Sequence, residues 1–308
     1  MAVDLIHKFL NMAAPPFTFF SFLFFLPPYY LFKSFLSILS SIFSENVSGK
    51  VVIITGASSG IGEHLAYEYG RRGARLALTA RREKSLLEVA DRARDLGSPD
   101  VITIRADVSN IDDCRRLVDD TVNHFGRLDH LVNNAGMTSV CMFEDAPPDM
   151  NNFRAVMASS AAMSAFFESL RVEFGSDIGI TIATPGYIES EITMGKYLKK
   201  EGELEVQQDL RDAQVGFMPV GSVSGCARAI ENSACRGDRY VTEPSWFSVT
   251  FLWKLFFPEV FEWSGRLFSL PTPGRPPHEA LNKRIMDFTG AKNVLYPSTI
   301  QSPDVKTE

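Results

Sequence analysis

The stretch KVVIITGASSGIGEHLAYEYGRRGARLALTARR, Lys50 to Arg82, decides the fold. It reads as an apolar, β-branched strand, a glycine-rich turn, an amphipathic helix and a second strand that ends at Ala80-Arg81-Arg82. Strand, glycine turn and helix at this spacing make a nucleotide-binding βαβ unit. Gly56 permits the tight turn, Gly60 and Gly62 let backbone amides and the helix approach a pyrophosphate, and the helix N-terminus adds positive potential there. A glycine triplet alone is a common turn signal. Its place between a β-branched strand and an amphipathic helix is what makes it specific.

On the C-terminal side the alternation continues. VITIRADV reads as a third strand ending in Asp107-Val108, where a short carboxylate and an apolar side chain grip an adenine ring. DCRRLVDDTVNHFG has helical spacing and a glycine stop, and LDHLVNNAG is a fourth strand ending in Asn133-Asn134-Ala135-Gly136. Alternating β and α units imply an α/β fold with a doubly wound parallel sheet. About 20 residues beyond the glycine turn an acid would bind the 2′-hydroxyl of NAD. Arg81 and Arg82 stand there instead. Arg81 suits a 2′-phosphate, which favours NADP(H); the bland alternative is that both arginines solvate a loop.

These residues resemble the classical short-chain dehydrogenases/reductases: Thr55 to Gly62 is similar to TGxxxGIG, Asn133 to Gly136 is NNAG, and Pro185-Gly186 is similar to the family's PG turn. The resemblance covers roughly residues 49–240. It implies a Rossmann-type sheet and a nucleotide held by Gly56, Ser58, Ser59, Gly60, Ile61, Gly62, Arg81, Asp107, Val108, Asn133, Ala135, Gly136, Pro185 and Ile188. With the phenylalanine-rich front end and DRYVTEPSWF behind the domain, the chain is similar more narrowly to the steroleosins, plant oil-body proteins of the 11β-hydroxysteroid dehydrogenase-like type. That implies an NADP-preferring oxidoreductase interconverting sterol or steroid hydroxyl and keto groups on lipid droplets, its catalytic domain facing the cytosol; the resemblance also allows a homodimer.

The family's chemistry needs a tyrosine to exchange a proton with the substrate oxygen. It also needs a lysine four residues later to lower the tyrosine's pKa, and a serine to polarise the substrate. In VMASSAAMSAFFESLRVEFG, matching ASSAA to the family's helix puts Ser160 at the lysine position and Val156 at the tyrosine position. The only Y-x-x-x-K, Tyr29 to Lys33, precedes the cofactor loop. No catalytic residue is therefore assigned, and Ser159, Ser160 and Ser164 read as helix residues. Between Gly136 and GITIATP (Gly179 to Pro185) only one helix fits, roughly Asp149 to Phe174, where the family places helix, strand, helix. The domain thus reads as one strand-helix unit short, near 137–160, with a single right-handed crossover bringing GITIATP beside the fourth strand. The alternatives to an active enzyme are a silent droplet-coat or ligand-binding pseudoenzyme and a truncated splice or gene-model product.

Residues 1–46 read as an anchor. Nine phenylalanines lie between Phe17 and Phe43, with Lys33 the only charge among residues 9–43, a surface that water does not tolerate. Pro15-Pro16 and Pro27-Pro28 bracket a run of only ten residues, Phe17 to Leu26, so a proline-broken finger dipping into lipid from one side is expected, with a spanning signal-anchor in the endoplasmic reticulum membrane as the alternative. Residues 47–243 form the Rossmann domain and 244–308 an aromatic-rich extension with a polar tail. Tyr187 to Gly221 is polar and reads as a mobile substrate-covering loop or a solvated helix. Trp246, Trp253 and Trp263 with dense phenylalanine suit a pocket, a core or a lipid contact. A net charge of −6 argues against nucleic acid. Cys114, Cys141, Cys226 and Cys235 lack framework spacing and read as reduced thiols, and no metal-ligand cluster is present.

Overall fold

The computed structural model describes residues 2–42, 44–136, 151–190, 193–198, 204–206, 208–269 and 279–301. The chain divides into two units, Met1–Glu45 and Asn46–Glu308. The first is a single helix, α1 (Ala2–Ile42). The expected break at the two proline pairs is corrected: the helix runs through both. Each proline removes one N–H and crowds the carbonyl four residues back, which bends a helix without ending it when the flanking ladder is intact. Phe17, Leu23, Phe24, Phe25 and Leu31 are exposed on α1. No helix among the described residues is long and apolar enough to cross a membrane.

The second unit begins with β1 (Val51–Thr55), α2 (Gly60–Arg71), β2 (Arg75–Ala80), α3 (Glu83–Asp95), β3 (Val101–Arg105), α4 (Ile111–Phe125) and β4 (His130–Val132). Its four strands form a parallel sheet in the order β3-β2-β1-β4, with Val52 opposite both Leu76 and His130. This is a Rossmann-like α/β fold. Side chains alternate along each strand, so Val52, Ile54, Leu76 and Leu78 pack on one face against Leu65, Tyr69, Leu86 and Val89. Ile53, Ala77 and Ile104 pack on the other against Leu117 of α4.

Then come α5 (Asn151–Phe174), β5 (Ile182–Pro185), β6 (Lys196–Leu198), β7 (Leu204–Val206), α6 (Gln208–Val215), α7 (Val223–Arg236) and β8 (Tyr240–Glu243). β5 pairs in parallel with β8 as a separate two-stranded sheet, and among the described residues β4 pairs with β1 alone. The expectation that one crossover brings GITIATP beside the fourth strand is therefore corrected. α7 packs on both α2 and β8, which fixes the β5–β8 pair independently of β4. Leu131 on β4 and Val118 and Val122 on α4 are left exposed.

Beyond β8 lie a 3₁₀ turn (Ser245–Phe247), α8 (Ser248–Phe256), α9 (Pro258–Ser269), α10 (Leu281–Thr289), α11 (Lys292–Leu295) and α12 (Ser298–Gln301). Val215, Val220, Met286, Tyr296 and Ile300 build a second, smaller core. It corrects the reading of Tyr187 to Gly221 as a polar loop or solvated helix, because Arg211, Asp212, Ala213 and Val215 of α6 are buried.

Candidate functional site

The carboxyl ends of β1 and β4 are tied together by Thr55 and Asn134. The Thr55 hydroxyl donates to Val132 O at 3.2 Å and accepts from the amides of Asn134 and Ala135, each at 3.0 Å. The Asn134 side chain donates to Thr55 O at 3.1 Å and to Gly56 O at 3.3 Å. A Cβ on Gly56 would lie 2.8 Å from Ala135 Cα, and one on Gly62 would lie 2.4 Å from both Gly56 O and Asn134 Nδ2. Gly56 and Gly60 also hold φ of +66° and +60°. Only glycine fits, so the glycine loop, Ile61 at the first turn of α2, and the Asn133 to Gly136 segment form one cradle.

The mouth of this cradle is basic. Ser59 is the N-cap of α2 but makes no side-chain cap bond, and its hydroxyl accepts from Arg82 Nη2 at 2.6 Å, with Ser58 Oγ at 3.4 Å from the same nitrogen. The first amides of α2 are thus left for an anion, with a guanidinium beside them. Arg81 is exposed at the end of β2, on the side of Asp107. Asp107 Oδ1 accepts from Ser109 N at 3.0 Å and Ser109 Oγ at 2.8 Å. Those bonds, with Arg81 nearby, hold its carboxyl below the usual carboxylate range. Val108 is exposed beside it, as an adenine-facing side chain would be.

On the far side, a Cβ on Gly60 would lie 4.0 Å from Ser190 Cβ, so the segment after β5 stands against the glycine loop. Pro185 ends β5. Ile188 is buried and bridges to Gly221. Sequence reasoning missed Thr55, Asn134, Arg82 and Ser190. The first two could have been found from the need to satisfy buried amides at the ends of two adjacent strands.

No acid–base pair stands beside the cradle among the described side chains. The hydroxyls of Tyr67, Tyr69, Tyr187, Tyr240 and Tyr296 face Glu63, His130, Gln214 O, Glu168 and Gly216 O respectively. Burial pushes the Tyr187 hydroxyl up. Val156, Ser159 and Ser160 are on α5, but their side chains lie outside those described; Ser164, farther along the same helix, is exposed. Cys114, Cys226 and Cys235 are free, and Cys141 lies outside the described residues. Burial pushes the Cys226 and Cys235 thiols up to about 12, so neither is a nucleophile at neutral pH. Among the described residues no group of His, Cys, Asp or Glu is placed to hold a metal.

A family model described as short chain dehydrogenase matches residues 50–158. The 11-beta-hydroxysteroid dehydrogenase A proteins of Arachis hypogaea and Sesamum indicum are 55% and 54% identical to this chain, each over 99% of it and all of the relative. The 11-beta-hydroxysteroid dehydrogenase 1A of Arabidopsis thaliana is 53% identical over the same shares. The Arachis comparison runs over 350 residues against 308 in this chain, so at least 42 positions of the alignment have no residue here. Among solved structures, a short-chain type dehydrogenase/reductase from Mycobacterium marinum matches with a TM-score of 0.55 at 22% identity, over 68% of this chain and 99% of that one. L-sorbose reductase from Gluconobacter frateurii, complexed with NADPH and L-sorbose, matches with a TM-score of 0.53 at 21% identity, over 65% of this chain and 97% of that one.

Proposed function

The chain belongs to the short-chain dehydrogenase family, and on that premise we propose that it is an NADP(H)-preferring protein of the hydroxysteroid dehydrogenase type that works at a lipid surface and has lost its own acid–base pair. The observation that carries the reading is the cradle: the Gly62 position, where a Cβ would meet Gly56 O and Asn134 Nδ2 at 2.4 Å, lets the start of α2 close on the glycine turn, the arrangement that turns helix amides toward a pyrophosphate. A bound nicotinamide nucleotide supplies a hydride donor or acceptor. The chain's own residues do the holding: α2 amides at the pyrophosphate, Asp107 and Val108 at the adenine, Asn133, Ala135 and Gly136 along the sheet edge, and the Pro185 to Ile188 backbone at the far end. A sterol or steroid substrate is supported by the names of the relatives, and a lipid droplet location by the exposed phenylalanines of α1.

Three observations support loss of the acid–base pair. At least 42 alignment positions are unfilled, β4 pairs with β1 alone among the described residues, with Leu131, Val118 and Val122 left exposed, and the described tyrosine hydroxyls beyond α1 are all engaged elsewhere. We read this side of β4 as the place of an absent strand-helix unit. The same observations favour a second reading, that a longer form retaining this unit is the active enzyme. The test is single-turnover hydride transfer by the full chain with NADPH or NADP⁺ and a steroid ketone/alcohol pair, beside cofactor-binding fluorescence. Binding without turnover is the expected result. Turnover above background would overturn the lost pair, and absence of binding would overturn the nucleotide reading.

Preference for NADP(H) has its own test. A charge-assisted hydrogen bond contributes about 1.5–3 kcal/mol, so Arg81→Ala and Arg82→Ala are each expected to cut the NADPH-over-NADH affinity ratio about 10- to 100-fold. An unchanged ratio in both variants would remove the 2′-phosphate from the site.

A further inference from the structure

We propose that Glu189 and Thr299 are positioning residues for the bound nucleotide: through this pair α12 holds the segment after β5 down on the glycine loop and so sets how fast the nucleotide leaves. The inference deepens the nucleotide reading and rests on it. Residues 187–190 stand at the far side of the cradle, where a Cβ on Gly60 would lie 4.0 Å from Ser190 Cβ. A pyrophosphate on the first amides of α2 is therefore flanked by this segment. Yet the segment belongs to none of the described strands. Gly221 N donates to Tyr187 O at 2.8 Å and Glu189 N to Gly221 O at 3.0 Å, which makes a single bridge rather than a ladder. A bridge of one residue opens locally far more readily than a strand.

The Glu189 carboxylate supplies a further fastening, and its two oxygens go to different elements. Oε2 accepts from Val223 N, the first residue of α7, at 3.4 Å, and Oε1 accepts from the Thr299 hydroxyl of α12, 110 positions along the chain. α12 is held from behind. Ile300, the next residue, is 1% exposed in the second core, and its carbonyl accepts from Nη1 of buried Arg211 at 2.6 Å. Just before α12 the Tyr296 hydroxyl donates to Gly216 O and Leu295 O accepts from Val220 N, each at 3.0 Å. Thr299 itself is exposed, so its hydroxyl adds nothing to that core by burial. What it holds is Glu189 and, through the neighbouring Ser190, the part of the segment that meets Gly60. Because Leu295, Tyr296 and Ile300 already fasten α12, loss of the Thr299 hydroxyl leaves the core in place and frees only the segment.

The test is the rate of NADPH dissociation, read by stopped-flow fluorescence when the full chain with bound NADPH is mixed with excess NADP⁺. Thr299→Val keeps the shape and removes the hydroxyl. A hydrogen bond to a charged group is strong enough that dissociation is expected to become about 10-fold faster, with association changed by less than about twofold. The midpoint of thermal unfolding is expected to stay within about 2 °C, since no buried contact is lost. Thr299→Ser, which keeps the hydroxyl, is expected to release NADPH as slowly as the native chain. Glu189→Ala is expected to accelerate release at least as much as Thr299→Val, and adding Thr299→Val to it is expected to change nothing further, as for two residues that act as one contact. A Thr299→Val rate within about twofold of the native rate would overturn the proposal and leave the cradle standing. So would equal acceleration by the valine and serine variants, or a thermal midpoint lowered by more than about 4 °C in Thr299→Val, either of which makes Thr299 a packing residue. A full further acceleration in the double variant would overturn it as well, by separating the two residues. A native chain that binds no NADPH would instead remove the nucleotide reading itself, and this proposal with it.

Discussion

Gly62→Ala is expected to weaken nicotinamide nucleotide binding by more than about 100-fold while the unit stays folded. The added methyl would stand 2.4 Å from Gly56 O and from Asn134 Nδ2, far inside van der Waals contact. The Gly56 carbonyl and the Asn134 side chain both have to move. Asn134 donates to Thr55 O and Gly56 O, and its backbone amide is held by Thr55 Oγ1, so moving it breaks two bonds and loosens a third. Overpacking costs about 1–3 kcal/mol and each lost hydrogen bond about 1 kcal/mol. The sum falls on the geometry that the pyrophosphate needs, and about 3–5 kcal/mol of it corresponds to 100-fold or more in affinity. NADPH titration by fluorescence, with circular dichroism to follow the fold, checks this. Gly179→Ala is the control, because a Cβ there meets nothing within 4 Å and its φ is not in the left-handed region. Binding by Gly62→Ala within threefold of the native chain would remove the cradle as the binding element.

The cradle was legible in the sequence because its determinants are local. Gly56, Gly60 and Gly62 sit in one turn, and the alternation of β1 to β4 with α2 to α4 repeats within short windows. What the sequence hid depends on distant partners. Arg81 is the residue that spacing selects, yet Arg82 reaches Ser58 and Ser59, because which of two adjacent arginines faces the loop depends on where β2 stops. The proline pairs of α1 look like breaks in a local reading, while the hydrogen-bond ladder on either side decides the outcome. The split between β4 and β5 was hidden as well, since the packing of α7 on α2 and β8 governs it from elements distant in the chain. α6 reads as polar in QDLRDAQV, and only Lys292 and Ile300, about 80 and 90 residues later, make its burial tolerable.

Asp212→Asn is expected to destabilise the second core by about 3–5 kcal/mol, the range for leaving one partner of a buried ion pair uncompensated. Asp212 is 1% exposed and Arg211 fully buried. Asp212 Oδ1 accepts from Arg211 Nε at 2.8 Å and Nη2 at 2.6 Å, and Oδ2 faces Lys292 Nζ at 3.0 Å and Lys283 Nζ at 3.2 Å. Arg211 Nη1 also donates to Ile300 O at 2.6 Å, which ties α6 to α12. The amide keeps the shape and removes the charge that three cations share, so the loss is electrostatic rather than steric. The sign of the pH dependence follows. Burial pushes the Asp212 carboxyl up, but Arg211 and Lys292 more than offset it and the net shift is downward. A depressed folded pKa gives stability that is present above the unfolded value of about 3.9 and is lost as pH falls through the folded value. The native chain should therefore lose part of its margin over Asp212→Asn only below about pH 4, and keep it in full at pH 7. At roughly 2–4 °C per kcal/mol for a unit of this size, the midpoint of thermal unfolding should drop by about 10 °C at pH 7. A drop under about 2 °C would mean that Val215, Met286, Tyr296 and Ile300 hold this core by apolar contact alone, with the buried charges contributing only their mutual cancellation.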